Sequence, residues 1–410
     1  MSAVVASPGL AWLDALGPQR IRPGLWRTRA LLSFLGNPES SFSSILIGGT
    51  NGKGSTAASV SAILTAAGVP CGLYTSPHLV SVTERVRLHD RDVSSAALDS
   101  ALSLVAAVSA PGDRSPTYFE AMTVAAFELF RRARVAVAVV EVGIGGRLDA
   151  TNVLEPEVSV VTNVAADHLD VLGPALEDVA REKAGIFRKG QPALVGAGGT
   201  EEGPRAVLNA EARRLGARLV EIPAAAHWEG LSPLAGAHQL GNVSLAVAAA
   251  RAVAPLDDAT IEKGLRATRW RARLERIETP GRRPLLVDGA HNPPGALALA
   301  AHLDAACLSG RVDLLFGGMA DKDLGAVFAP LAARARRIVL VAPASPRALD
   351  PERLAARLGR TDLETAPSVA EGLARLEAGG GSAPILVAGS LYLAGEVLGL
   401  RGGLRPNSEG

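Results

Sequence analysis

The sequence predicts an α/β protein of two domains, a phosphate-loop (P-loop) parallel-sheet domain followed by a smaller Rossmann-like one. Three observations lead there. Short Val/Ile/Leu runs alternate with longer amphipathic stretches, the pattern of helices covering both faces of a parallel sheet. A glycine-rich turn carrying a lysine and hydroxyls separates the first such run from a helical stretch. The chain has 410 residues, which at roughly 150 per domain is enough for two or three domains.

Residues 45–47 read as a short strand. After the glycine-rich turn, Val60, Ile63, Leu64 and Ala67 recur at i, i+3, i+4 and i+7, which predicts a helix. Residues 69–74 resume a strand and complete a βαβ unit of about 30 residues. The runs at 135–140 and 158–161 are continuously apolar, as central strands buried on both faces are. A second series begins at 285–287 and continues through 312–316, 338–341 and 385–387, with helical stretches between. Between the two series, residues 275–284 hold Pro280, Gly281 and two arginines, so the boundary is placed there, giving domains 1–278 and 279–410. The glycines at 379–381 and the tail from Gly402 are flexible by composition.

With 48% hydrophobic and 20% charged residues the chain is not a disordered one. Its 42 basic and 41 acidic residues leave a net charge of +1, so nothing attracts a nucleic-acid backbone in bulk. Any anionic partner must be held by a local site. No apolar stretch reaches the ~18 residues of a membrane span. The first sixteen residues meet Trp12 and Asp14 and lack a basic start, unlike a signal peptide. Cys71 and Cys307 have no metal-ligand spacing, so a disulfide framework or zinc site is not expected and a reducing cytoplasm is. The expected partners are small molecules, not nucleic acid or membrane, and the expected state is a monomer.

The glycine-rich turn is the strongest chemical signal. Gly48-Gly49-Thr50-Asn51-Gly52-Lys53-Gly54-Ser55-Thr56 follows a strand and opens a helix, where successive backbone N–H groups and a helix N-terminus hold phosphate. Lys53 would reach the β and γ phosphates of a nucleotide, and Ser55 or Thr56 supplies a hydroxyl. The spacing departs from GxxxxGK[ST] because Gly54 stands between lysine and serine. Glu141 ends an apolar run, so its carboxylate emerges at the carboxyl edge of a parallel sheet, where ligands bind; capping the next helix is the alternative. Mg2+ arriving with ATP takes few protein oxygens, and Glu141 with the Ser76 hydroxyl could supply them. On its own, His168 reads as a hydrogen-bonding loop residue, and Lys183, beside Arg181 and Glu182, as a solvated lysine. Asp288 closes the 285–287 strand and again lies at a sheet edge.

GTNGKGS at 49–55 resembles the phosphate loop of the Mur ligase superfamily, in its folylpolyglutamate synthase/dihydrofolate synthase branch. Further motifs resembling that branch follow in order: TSPHL at 75–79, YFE at 118–120, EVGIGGRLDATN at 141–152, Asp167-His168, EKAGI at 182–186, His238-Gln239 with Asn242, DGAHNP at 288–293, Asp321-Lys322-Asp323 and GSLYL at 389–393. The similarity spans nearly the whole chain and implies the Mur ligase architecture. It implies Ser76 and Glu141 as ligands of one Mg2+, and His168 with a Lys183 carbamylated by CO2 as ligands of a second. It gives Asn51, Gly52, Lys53, Gly54, Ser55, Thr56, Asn242, Arg273 and Asp288 to ATP, with Asp288 at the ribose, Arg273 at the phosphates and Asn242 at the adenine side. Lys53, Asp149, Lys183 and His291 form the implied catalytic set. One departure bears on this: the family commonly has Pro-Gly between Trp and Arg, whereas this chain reads Trp270-Arg271-Ala272-Arg273, so Arg271 rivals Arg273.

The same resemblance implies a pterin-bearing substrate, for which Gly24, Trp26, Thr117, Tyr118, Phe119, Glu120, Leu148, Asp149 and Ala150 are the candidates. Trp26, Tyr118 and Phe119 offer faces on which a planar pterin stacks, and Asp149 or Glu120 could accept hydrogen bonds from its amino edge. Core packing is the alternative for Phe119. The implied reaction is carboxylate activation. ATP donates its γ-phosphoryl group to dihydropteroate or a folate, and the amine of glutamate attacks the acyl phosphate. This needs no nucleophilic side chain, and the chain has no GxSxG element. A folylpolyglutamate synthase alone and a cell-wall Mur-type ligase are the near alternatives, the second opposed by YFE and EVGIGGRLDATN. A nucleotide-switch NTPase is opposed by the missing NKxD motif, and a non-catalytic binding module by the presence of Glu141, His168 and Lys183.

Overall fold

Eight strands form the first of two sheets: β1 (Ser43–Gly48), β2 (Cys71–Tyr74), β3 (Val86–Leu88), β4 (Arg91–Asp92), β5 (Val137–Glu141), β6 (Val158–Val161), β7 (Pro192–Gly196) and β8 (Arg218–Ile222). Their order is β4-β3-β2-β5-β1-β6-β7-β8. The second sheet comprises β9 (Glu275–Ile277), β10 (Leu285–Val287), β11 (Val312–Phe316), β12 (Ala335–Leu340), β13 (Glu364–Thr365) and β14 (Ile385–Ala388), in the order β13-β12-β11-β14-β10-β9. Pairing is parallel except at β3, β4 and β9. The computed structural model describes residues 7–402 apart from 19, 361 and 380. The first six residues, Gly380 and the tail from 403, on which parts of the signal-peptide and flexibility readings fall, lie outside the described residues.

The expected central strands are present, with two shifts of register. The run at 69–74 pairs only from Cys71, and that at 135–140 pairs from Val137 and extends to Glu141, which therefore ends a strand. The boundary expected within several residues of 278 lies next to the start of the second sheet at Glu275: β9 pairs antiparallel with β10, so 278 itself sits in their hairpin. Proline and glycine at 280–281 mark that hairpin turn and not an interdomain linker.

Period-two alternation sorts each central strand between two apolar layers. In β1, Leu46 points into one cluster while Ile45 and Ile47 point into the other; in β10, Leu286 opposes Leu285 and Val287. Both sheets are thus sandwiched by helices, and the strand ends are left for chemistry. The two bodies touch. Val80, from the loop after β2, is buried in the apolar cluster of the second sheet that includes Leu393, Ala394 and Val397. Among the described residues no helix is long and apolar enough to cross a membrane.

Candidate active site

β1 lies between β5 and β6, and its carboxyl end turns through 48–52 into the helix Lys53–Ala66. Gly49 (φ 138°) and Gly52 (φ 84°) take backbone conformations that disfavour a side chain. A Cβ would also strike Thr162 at the first position and Asn242 at the second. The turn is tied to the end of β6: Thr50 N–H donates to the Asn163 carbonyl (3.0 Å), Asn51 N–H to Asn163 Oδ1 (3.0 Å) and Thr162 Oγ1 to the Asn51 carbonyl (2.6 Å). The N–H groups of Gly52, Lys53, Gly54 and Ser55 donate to nothing among the described residues. A row of free donors at a helix N-terminus is an anion site. Lys53 Nζ rests on the Gly49 and Thr50 carbonyls at 3.1 Å each, and Thr56 Oγ1 is buried without a partner.

Neighbouring strand ends supply the rest. Glu141 is buried at the end of β5, and its Oε2 accepts the Ser76 N–H at 3.1 Å. Burial raises its carboxyl pKa, opposed first by the Lys53 charge and then by the Ser76 N–H, Arg273 and Arg85. Past β6, His168 takes a left-handed backbone (φ 53°) ahead of the short helix Leu169–Leu172. Burial pushes its imidazole down to about 4, so it is neutral at physiological pH, the form that ligates a metal.

Lys183 departs from the bland reading of its neighbours. In the helix Leu176–Ala184 it is 3% exposed, and burial, aided by the Lys53 charge, lowers its amine to about 7. Arg147 fixes this helix to the 141–152 segment: its N–H donates to the Glu182 carbonyl (2.8 Å) and its guanidinium pairs with the Glu182 carboxylate (2.6 Å).

The second body closes the site. Asp288, after β10, accepts the Leu274 and Ala290 N–H groups at 2.8 Å each. Arg271 spends its charge on Glu275 in an exposed pair (3.2 Å), whereas Arg273 acts electrostatically on Glu141. Of the two rivals, Arg273 therefore faces the cleft. Asn242 donates to Gln239 Oε1 (2.9 Å) beside Gly52. Asn51 and Asn292 exchange side-chain hydrogen bonds across the two bodies at 3.2 and 2.9 Å. Asp167 accepts from Asn292 Nδ2 (3.0 Å) and from Lys322 Nζ (2.6 Å), and His291 Nε2 lies 3.7 Å from it. The sequence reading gave no role to Asn292, Lys322 or Asp167, although all three lie in motifs it noted; only the cross-body pairing shows what they do.

The expected pterin residues divide into two groups. The Gly24 N–H donates to the Leu148 carbonyl (3.3 Å), so 24–26 lies against 148–150, where Ala150 is buried while Trp26 and Leu148 keep open apolar faces (52% and 37% exposed). Phe119 packs against Tyr74 at 6.0 Å, and Thr117 caps the helix Tyr118–Arg132. The buried carboxylate of Glu120 accepts the Thr117 N–H (2.7 Å) and pairs with buried Arg27 (2.8 Å). Asp149 also holds local donors. One oxygen accepts from Ile144 N–H (3.0 Å) and the other from Thr151 N–H (3.0 Å) and Oγ1 (2.5 Å), so it orders its own loop.

The Mur ligase middle domain matches residues 47–214, and the Mur ligase glutamate ligase domain matches 272–391. Folylpolyglutamate synthase of Lacticaseibacillus casei is 36% identical, with 90% of this chain and 92% of the relative covered. The chain belongs to the folylpolyglutamate synthase/dihydrofolate synthase branch of the Mur ligase family. E. coli FolC in complex with DHPP and ADP superposes with a TM-score of 0.87 at 33% identity, covering 97% of this chain and 98% of that one. A bifunctional folylpolyglutamate synthase/dihydrofolate synthase with Mn, AMPPNP and L-glutamate bound gives a TM-score of 0.85 at 31% identity, covering 96% and 98%. The chain spans about half the length of the Halobacterium salinarum and Haloferax volcanii relatives it matches. Of the family's expected residues, Lys53, Glu141, His168, Lys183 and His291 gather round the phosphate turn.

Proposed function

We propose that the protein is an ATP-dependent ligase that joins L-glutamate to dihydropteroate, giving dihydrofolate, and to tetrahydrofolate (poly)glutamates, through an acyl phosphate. The observation that carries this is the meeting of free turn amides, Lys53 and buried Glu141 at adjacent strand ends with buried Lys183 of the neighbouring helix, in a chain of this family. The ADP, AMPPNP, Mn, DHPP and L-glutamate of the related structures support it. Both cysteines are free, which suits the reducing cytoplasm expected of a monomeric enzyme of this kind.

The turn amides would hold the phosphates, and Lys53 would leave the Gly49 and Thr50 carbonyls for the β and γ oxygens. The donors suit Mg2+, which keeps waters and takes few protein oxygens: Ser76 and Glu141 would hold one ion, and His168 with a carbamylated Lys183 a second. Bound there, the metal neutralises phosphate charge. Arg273 spreads the charge of the transferring group. An acceptor oxygen bonds to the γ phosphorus as ADP leaves. The glutamate amine then attacks the acyl carbon, phosphate departs, and the amine loses a proton. Positioning and charge neutralisation carry this chemistry.

Phosphate release should require both a pterin acid and glutamate. With 18O in the acceptor carboxyl group, one label should reach each phosphate. Phosphate release without either substrate refutes the ligase, and unlabelled phosphate refutes the acyl phosphate.

A further inference from the structure

The connection between the two bodies carries a backbone that its residues disfavour. The helix Asp258–Ala267 still belongs to the first body, its Ile261 and Leu265 lying in the same apolar cluster as Ile45 and Ile47, and the second sheet starts at Glu275. Between them Trp270 packs against the phosphate turn, where a Cβ on Gly54 would strike its ring. Ala272 (φ 53°) and Leu274 (φ 50°) then both take left-handed backbone, one on each side of Arg273. Neither is glycine, and a Cβ makes that conformation costly, so it persists only where neighbouring groups hold it.

The holding groups all belong to the second body. Glu275 Oε2 accepts the Ala272 N–H (2.9 Å), the Gly289 N–H donates to the Ala272 carbonyl (2.9 Å), and Asp288 Oδ2 accepts the Leu274 N–H (2.8 Å). The Ala272 carbonyl accepts a second bond, from Arg273 Nη1 (2.8 Å), and the guanidinium fills the room that Gly289 leaves, with Nη1 2.8 Å from where a Cβ would stand. The turn at 272 therefore sets both the direction in which the Arg273 side chain leaves the chain and the carbonyl on which its guanidinium rests. From there Arg273 acts on Glu141 of the first body. Relaxation of 272 to right-handed or extended backbone would swing that carbonyl away and take the rest from the guanidinium.

Among these groups Glu275 is the one without another task. The resemblance gives Asp288 to the ribose, and Gly289 acts through its backbone, which substitution does not remove. Glu275 Oε1 pairs with Arg271, but an exposed ion pair of this kind contributes little. Its Oε2 is the atom that meets the left-handed residue, so one half-buried carboxylate ties down the chain just ahead of Arg273. Because this brace stands on β9, Arg273 is carried by the second body. Its charge reaches Glu141 and the phosphate turn only where the two bodies meet.

We propose that Glu275 is a positioning residue for phosphoryl transfer, bracing the left-handed backbone at Ala272 so that Arg273 faces the phosphates. This rests on the ligase reading and adds a residue that acts through Arg273. The test is steady-state kinetics of the full chain with ATP varied, alongside calorimetric binding of AMPPNP with Mg2+. Glu275→Ala should lower kcat/KM for ATP roughly tenfold and weaken AMPPNP, with KM for glutamate within about threefold. Glu275→Gln, which keeps an acceptor for the Ala272 N–H, and Arg271→Ala, which removes only the ion pair, should stay within about threefold of wild type. Two double variants separate a brace from general support of the fold. In Arg273→Ala, adding Glu275→Ala should cost less than about twofold more, since nothing is left to place. In Glu275→Ala, adding Ala272→Gly should recover activity and AMPPNP affinity several-fold, because glycine takes the left-handed backbone unaided. Additive losses with Arg273→Ala, no recovery with glycine in folded protein, or an Arg271→Ala loss equal to that of Glu275→Ala overturn the proposal. Should Glu275→Ala not fold, Glu275→Asp, whose shorter arm does not reach, takes its place under the same expectations. If the wild type binds AMPPNP but releases no phosphate that depends on both substrates, the ligase reading fails, and the AMPPNP affinities alone decide on the brace.

Discussion

Lys183 offers the sharpest test of the chemistry, because CO2 adds only to a neutral amine. At pH 7.5 an amine of pKa about 7 is about three-quarters neutral, whereas an ordinary lysine is neutral about one time in a thousand. Burial thus raises the reactive fraction several-hundred-fold, and from pH 6 to pH 8 that fraction climbs from about 10% to about 90%. With 13C-bicarbonate, one carbamate carbon signal should grow over that range and be missing from Lys183→Met. Lys183→Ala should lose most activity and regain part of it with formate or acetate, while Lys183→Arg stays inactive. The folded pKa lies below the ordinary lysine value of 10.5, so between pH 7 and 10.5 the unfolded chain binds the proton and wild-type stability rises with pH. Met at this position avoids that cost, so its stability advantage over wild type should shrink by roughly 2–3 kcal/mol from pH 6 to pH 9 in denaturant titrations. No carbamate signal assignable to Lys183, together with a gap that does not change with pH, would refute the argument.

Lys53→Ala and Glu141→Ala should each cut kcat/KM more than tenfold without moving the thermal midpoint; retention of a tenth or more, a loss under ~1.4 kcal/mol, contradicts their placement on the phosphates. Phe119→Ala should raise KM for dihydropteroate more than for tetrahydrofolate, whereas equal effects would show that both acceptors share one pterin pocket. Glu120→Gln should destabilise the fold by ~3–5 kcal/mol, because it breaks a buried pair with Arg27, yet leave KM for dihydropteroate near wild type; a stable variant with a raised KM would return Glu120 to the substrate. Lys322→Met removes the 2.6 Å cross-body pair with Asp167, and should lower kcat/KM and expand the ligand-free protein in small-angle scattering; an unchanged profile with unchanged kinetics means the pair does not hold the cleft.

The central strands were legible because burial on both faces leaves unbroken apolar runs, as in β6 and β11. Edge strands carry no such signal: β8 is largely exposed along its length, and β3 and β4 together span five residues that pair antiparallel at a margin. The phosphate turn announces itself through adjacent glycines, a lysine and hydroxyls, since all its parts lie within nine residues. Asp167, Asn292 and Lys322 could not announce a shared role, because their partners stand 125 to 155 positions away. The partners of Glu120 and Asp149 were equally hidden: only the fold shows that their carboxylates hold Arg27 and local N–H groups.

The division between lysine and arginine in the cleft follows from what each group can do. The chain has 42 basic residues, of which only five are lysines, yet Lys53, Lys183 and Lys322 all lie at this site. An arginine at 183 could not shed its proton even when buried, so the position would keep a cation where the proposed mechanism needs an anion. At 53, a compact ammonium on a flexible stem can rest on two loop carbonyls and then move to phosphate, which a planar fork would do less readily. At 147 the demand is reversed: the side chain has only to stay charged and hold the Glu182 carboxylate, through Nε (2.9 Å) and Nη2 (2.6 Å). The positions that must change protonation or place are lysines. The position that must hold still and stay charged is an arginine.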